Sequence, residues 1–157
     1  MIGVGLLLVA GLVFGIFSST KGSHLQLQGQ VLKTRTGALS DTDSVAVLDF
    51  RLQNTSSLPF VVRTMKLTLE KADGQKEDGS LISKTDLKKL FDYNRFLGSP
   101  YNDALIMRDQ VPSHGQIDRM VAARFDVPQQ QLESAKALHL WIQDIDGTEF
   151  ETSYKIK

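Results

Sequence analysis

Apolar and polar side chains alternate along most of this chain. From His24 to Arg35, Leu25, Leu27 and Val31 fall on one face and Gln26, Gln28 and Gln30 on the other, the period-two signature of a half-buried strand. Ser44 to Gln53 repeats it. Ala46, Leu48, Phe50 and Leu52 share one face, while Asp49, Arg51 and Gln53 take the other beside Val45 and Val47. Asn54 to Pro59 has turn chemistry, and Phe60 to Glu70 then sets Met65, Leu67 and Leu69 against Thr64, Lys66, Thr68 and Glu70. Three such strands in succession predict an antiparallel sheet. The mixed-charge run Lys71 to Ser80, holding Asp73-Gly74 and Asp78-Gly79, reads as a solvated loop.

The period then changes. Ser83 and Asp86 form an S-x-x-D capping signature, and Leu87, Leu90 and Phe91 fall at helical spacing, so a short helical insert is expected. Asp92 to Asn102, with Gly98-Ser99-Pro100, returns to loop chemistry. Ala104 to Met107 reads as a brief strand, and Ser113-His114-Gly115 as a turn. Arg119, Val121, Ala123, Phe125 and Val127 alternate up to Pro128, Gln129 to Lys136 reads as a one-to-two-turn helical crossover packing Leu132, and Leu138, Leu140 and Ile142 define a further strand. Asp146-Gly147 then closes a hairpin into Phe150, Thr152, Tyr154 and Ile156. About seven strands, one small helix and no repeat period favour a two-layer β-sandwich. All four prolines, Pro59, Pro100, Pro112 and Pro128, stand at strand ends or in loops, where a missing N–H costs least.

The run Val47 to Thr55, then Ser113-His114-Gly115 before Val121 to Pro128, then Leu138 to Ile142 and Asp146-Gly147, resembles the immunoglobulin-like domains of unknown function on bacterial envelope proteins. More distantly it is similar to the water-stress domains of late-embryogenesis proteins. The likeness covers roughly Leu25 to Ile156, and the insert around Leu87 to Phe96 departs from it. It implies an antiparallel immunoglobulin-like sandwich and supplies no catalytic residue.

The N-terminus has another character. No charged or strongly polar side chain occurs from Ile2 to Phe17, and Ser18, Ser19 and Thr20 lead to the first charged side chain, Lys21. As a helix the run would extend about 24 Å, or nearly 30 Å with the Ser-Ser-Thr segment, enough to cross a bilayer core. A cleaved secretory signal is the rival reading, but no basic segment precedes the run and no A-x-A-like site follows it, so an uncleaved anchor is preferred. The expected organisation is a transmembrane anchor (or signal peptide) at 1–20, a linker at 21–23 and the β-sandwich domain at 24–157. Lys21, Lys33 and Arg35 follow the span and favour a cytoplasmic domain by the positive-inside tendency. The layout of one span and one β-domain is instead that of an extracytoplasmic envelope protein, and we adopt it by analogy. Gly11, Gly15 and Ser19 form a small-residue face on which two such helices can approach closely, which allows a homodimer.

Composition removes several chemistries. With no cysteine, disulfide frameworks, thiolate metal sites and a Cys nucleophile are excluded. Eighteen acidic and eighteen basic side chains leave no global field for nucleic acid. His24, His114 and His139 lie on separate elements, without the H-x-H or H-x-x-x-H spacing that sets two imidazoles on one metal. Asp144, Asp146 and Glu149, and likewise Asp41 and Asp43, fall short of a calcium loop, and Asp146-Gly147 is better explained as a turn. There is no G-x-S-x-G elbow, since Gly98-Ser99-Pro100 lacks the second glycine, and no phosphate-cradling glycine loop. Carboxylates such as Asp118 and Asp126 are too numerous for a pair to be informative. No cofactor and no enzymatic activity are therefore expected.

Trp141, the only tryptophan, shares a strand face with His139 and Gln143, opposite Leu138, Leu140 and Ile142. If the aliphatic face points inward, the indole is either covered by the insert helix or exposed as an anchor for a partner. Tyr93, Phe96 and Tyr101 would add aromatic surface to the same site. The expectation is a membrane-tethered, non-catalytic extracytoplasmic module that binds or assembles an envelope protein through this surface. The alternatives are a stress-protective domain or a hydrolase without a recognisable motif.

Overall fold

The computed structural model describes residues 27–156. The expected anchor with Gly11, Gly15 and Ser19, the 21–23 linker, and His24 and Leu25 lie outside them. Among the described residues no helix is long and apolar enough to cross a membrane.

The domain is a mainly β sandwich of nine strands in two sheets. Strands β1 (Leu27–Ala38), β2 (Ser44–Asn54), β7 (Gln116–Phe125) and β5 (Ser80–Leu81) make the first sheet, in that order. The second runs β4 (Lys76–Asp78), β3 (Phe60–Glu70), β8 (Ala137–Asp144), β9 (Glu149–Lys155), with β6 (Gln110–Val111) paired to the start of β3. All strand pairs are antiparallel. The expected count of seven is thus corrected to nine. Three strands of two or three residues carry no readable alternation, and Lys71 to Ser80, expected to be all loop, contains β4 and the start of β5. Ala104 to Met107 is not a strand. Only Ala104 bridges, in parallel, to Met120.

The inward faces meet in one core, where Leu48, Phe50 and Leu52 face Leu67, Leu138, Leu140, Ile142 and Phe150. Each such side chain contributes about 1.5–3 kcal/mol on leaving water. Two bulges adjust which residues reach it. In β1, Val31 pairs with Phe50 and Lys33 with Asp49, leaving Leu32 as an extra residue. In β3, Val62 pairs with Asp144 and Thr64 with Gln143, leaving Arg63. Each extra residue reverses the alternation beyond it. Phe60 and Val62 therefore share the inner face with Met65, Leu67 and Leu69, and Arg35 faces outward.

The sandwich is closed on one side by a strand that changes sheets. β4 pairs with β3, Gly79 N–H donates to the Leu67 carbonyl, and β5 then pairs with β7. A Cβ on Gly79 would lie 2.6 Å from that of Ala123 and 2.7 Å from Cζ of Phe125, so the crossing requires glycine.

The outer face of the first sheet is also covered. Helix α1 (Lys84–Tyr93) seats Leu87 and Phe91 on Val45, Val47, Met120 and Ala122, which explains why β2 is buried on both faces. As expected, Ser83 caps it, its Oγ accepting from Asp86 N–H at 3.2 Å. Asn94 ends it and opens a 3-10 turn, Arg95–Leu97. Helix α2 (Gln129–Glu133) forms the expected crossover and buries Leu132. The turns behave as their residues suggest. Asn54 donates to the carbonyls of Leu58 and Val111 and accepts from Ser56, and Gly147 takes φ +90 at the tip of the β8–β9 hairpin.

Candidate functional site

The insert after β5 is fastened to the sheet by one buried cation. Arg35 donates from Nη2 to Asp49 Oδ2 at 2.8 Å and from Nη1 to the carbonyls of Leu97 and Ser99 at 2.9 and 2.7 Å. Asn102 Nδ2 donates to the other Asp49 oxygen at 3.0 Å. The guanidinium lies 4.9 Å from the ring centre of Phe91 and 4.8 Å from that of Tyr101. Lys33 adds a hydrogen bond from its Nζ to the Tyr101 hydroxyl at 3.1 Å. A planar, weakly hydrated cation with several donors suits this role, since it can bond to carbonyls and a carboxylate in its plane while rings cover its faces.

The clasp separates the insert aromatics by job. Tyr101 is half engaged and 61% exposed, whereas Tyr93 and Phe96 stand 93% and 99% exposed. Beside Tyr93 runs a groove of about 510 Å³ between α1 and the β1–β2 turn, with Leu39, Leu81 and Leu90 on its walls. A second groove, of about 350 Å³, lies on the other side of α1 against Met65, Leu105 and Met107.

Trp141 lies elsewhere. Its strand does point Leu138, Leu140 and Ile142 inward, as expected, but the insert packs on the outer face of the other sheet. The indole is therefore not covered by α1, and it does not join Tyr93, Phe96 and Tyr101 in one surface; the expected single site is two. The physical reason is the reach of the Arg35 clasp, which draws the insert over β1, β2 and β7. Trp141 is half-buried on the outer face of the second sheet, where Lys66 Nζ stands 5.6 Å from the ring centre. A shallow trough of about 310 Å³ follows this face, bordered by Lys66, Lys76, Asp78, His139 and Glu151.

Within the trough His139 Nε2 pairs with Glu70 Oε2 at 2.8 Å, and its Nδ1 stands 3.6 Å from Glu151 Oε1. The His139 hydrogen bond holds the Glu70 carboxyl below its ordinary range. The two ring nitrogens address different carboxylates, an arrangement that stitches β3, β8 and β9 together. His114 occupies the 113–115 turn at φ +54.

The other candidate groups are structurally committed. Asp118 takes a two-pronged bond from Arg51 at 2.7 and 2.9 Å, which lowers its pKa. Asp126 is largely exposed and pairs with Arg124 at 3.5 Å. Asp144 is buried and accepts from the backbone of Val61 and Asp146. Asp43 accepts from Ser40 and pairs with Arg124. Ser99 sits on the exposed loop and gives its carbonyl to Arg35.

No family model matches the chain, and no curated protein matches it. The chain is similar to an uncharacterized beta-sandwich protein from Clostridium difficile 630, with 13% identity over 88% of this chain and 90% of that one, at a TM-score of 0.43. It is also similar to Northeast Structural Genomics Consortium target SoR45, with 9% identity over 90% of this chain and 83% of that one, at a TM-score of 0.38.

Asp49 and Arg35 are the residues that periodicity passes over. The available signal is a lone carboxylate within Val45 to Phe50, an otherwise apolar run, so that it needs a buried partner.

Proposed function

We propose that this protein is a membrane-tethered, non-catalytic binding or assembly module of the cell envelope, its sandwich an extracytoplasmic immunoglobulin-like domain. The apolar run Ile2 to Phe17 would supply the tether. The observation that carries the reading is the exposure of Tyr93 and Phe96 on a segment pinned by the Arg35 clasp. Aromatics held in water on a fixed frame lose little conformational entropy when a partner covers them, which is the property of interface anchors.

A photo-cross-linking amino acid at position 96 in the producing cell tests the reading, with the same group at Gln28, an exposed site on β1, as control. A discrete adduct from position 96 alone is expected, and identical adducts from both positions would refute it. Sidedness is tested with Ala72→Cys, a single thiol in an exposed turn without positive φ. Labelling of intact cells by a membrane-impermeant maleimide is expected. Labelling only after lysis would move the domain to the cytoplasm.

A further inference from the structure

The trough over Trp141 is independent of the insert, and its chemistry is specific. Two cross-strand rows build it. Lys66, Trp141 and Glu151 stand side by side on β3, β8 and β9, and Asp78, Thr68 and His139 do so on β4, β3 and β8. Strand spacing puts neighbours in a row about 4.8 Å apart and the rows about 7 Å apart. A single apolar plate is thus ringed by polar side chains.

The ring is balanced. Lys66 and Lys76 face Asp78 and Glu151, so a phosphate backbone finds no net positive field. An apolar peptide or lipid surface needs several contiguous anchors, and among the described residues Trp141 is the one apolar side chain lining the trough. The polar groups also retain capacity. Among the described residues, the Lys66 and Lys76 ammonium groups take no hydrogen bond, and Asp78 uses only Oδ1, which accepts from Thr68 Oγ1 at 2.6 Å. Lys66 meets the indole only through an exposed cation–π contact on a long stem, which an incoming group can displace.

We propose that this trough binds a neutral oligosaccharide. A pyranose offers one apolar C–H face to stack on Trp141 and a rim of hydroxyls that both donate and accept. Lys66 and Lys76 would donate to them, and Asp78 and Glu151 would accept. The volume of about 310 Å³ stands at the lower end of small-molecule sites, and its open shape suits a few units of a chain lying across the sheet.

Trp141 is its own reporter, because no second tryptophan exists. The full chain in a sugar-free detergent is titrated with chitohexaose and with cellohexaose, followed by tryptophan emission and by calorimetry. A saturable signal with a Kd below about 1 mM is expected for at least one of them. Trp141→Ala, read by calorimetry because it removes the emission reporter, should abolish the binding heat with an unchanged circular dichroism spectrum. Asp78→Asn retains an acceptor for Thr68 and should weaken binding about tenfold. Absence of saturable heat and emission change up to about 10 mM overturns the proposal. So does binding that both variants leave intact, or tighter binding of a polyanionic glycan than of either neutral probe.

Discussion

Arg35 and Asp49 meet at 2.8 Å beneath the insert, both nearly sealed from solvent, and together they join β1, β2 and the 97–102 loop. Taking two charges out of water is costly, and here the cost is offset by carbonyls, an amide and two aromatic faces arranged around them. The pair positions the insert, so what the insert presents depends on it.

Arg35→Leu should therefore destabilise the protein by about 3–5 kcal/mol, because it leaves a buried carboxylate with Asn102 alone. Pairing it with Asp49→Leu should recover most of that loss. Urea unfolding midpoints of the two singles and the double decide the matter. Additive losses would show that the ion pair does not couple the residues.

Tyr93→Ser with Phe96→Ser should shift stability by no more than about 0.5 kcal/mol, since both rings stand in water. The same double variant should lose the adduct formed from a cross-linker placed at Arg95 between them. A large fall in melting temperature would instead make the rings structural.

Gly79→Ala should cost about 1–3 kcal/mol by overpacking against Ala123 and Phe125. The damage should be local at first. Hydrogen exchange should speed up at Ile82, whose N–H donates to the Ala122 carbonyl at 2.9 Å just beyond β5, before it does in β2 or β8.

Acid should weaken the fold in a defined direction. Arg51 holds Asp118 below its ordinary 3.8, and His139 holds Glu70 below its ordinary 4.5. A carboxyl whose folded pKa is depressed contributes stability that is present above its unfolded value and lost as pH falls through the folded one. Melting temperature should thus be level above about pH 5 and fall as pH drops through and below the ordinary carboxylate range. Asp118→Asn should flatten that acid limb, and an unchanged limb would discount the pair.

Much of the fold was legible because a strand half in water writes its orientation into alternate residues. β2, β3, β8 and β9, the helix cap at Ser83 and the turns at Asn54 and Gly147 all follow from local pattern. What was not legible is long-range. Residues 76–81 are too short to alternate, and they are strands because β3 and β7 stand beside them. Separation of Trp141 from Phe96 depends on which sheet the helix covers, and Val45 and Val47 hinted at it by making the outer face of β2 apolar.

The extra residue in β1 gives the strand slack. With Leu32 removed, Val31 would be followed directly by Lys33 opposite Asp49, and the ladder would close regularly with Arg35 still outside. β1 is one residue longer than its partner requires, so a single-residue deletion near this point can be absorbed without turning any buried side chain around. Strand β2 has no such surplus between Ser44 and Gln53, and loss of Leu48 would drive Asp49 toward the core. Tolerance to changes in chain length is therefore unevenly distributed across this sheet: concentrated at a bulge on its edge and absent from the strand beside it.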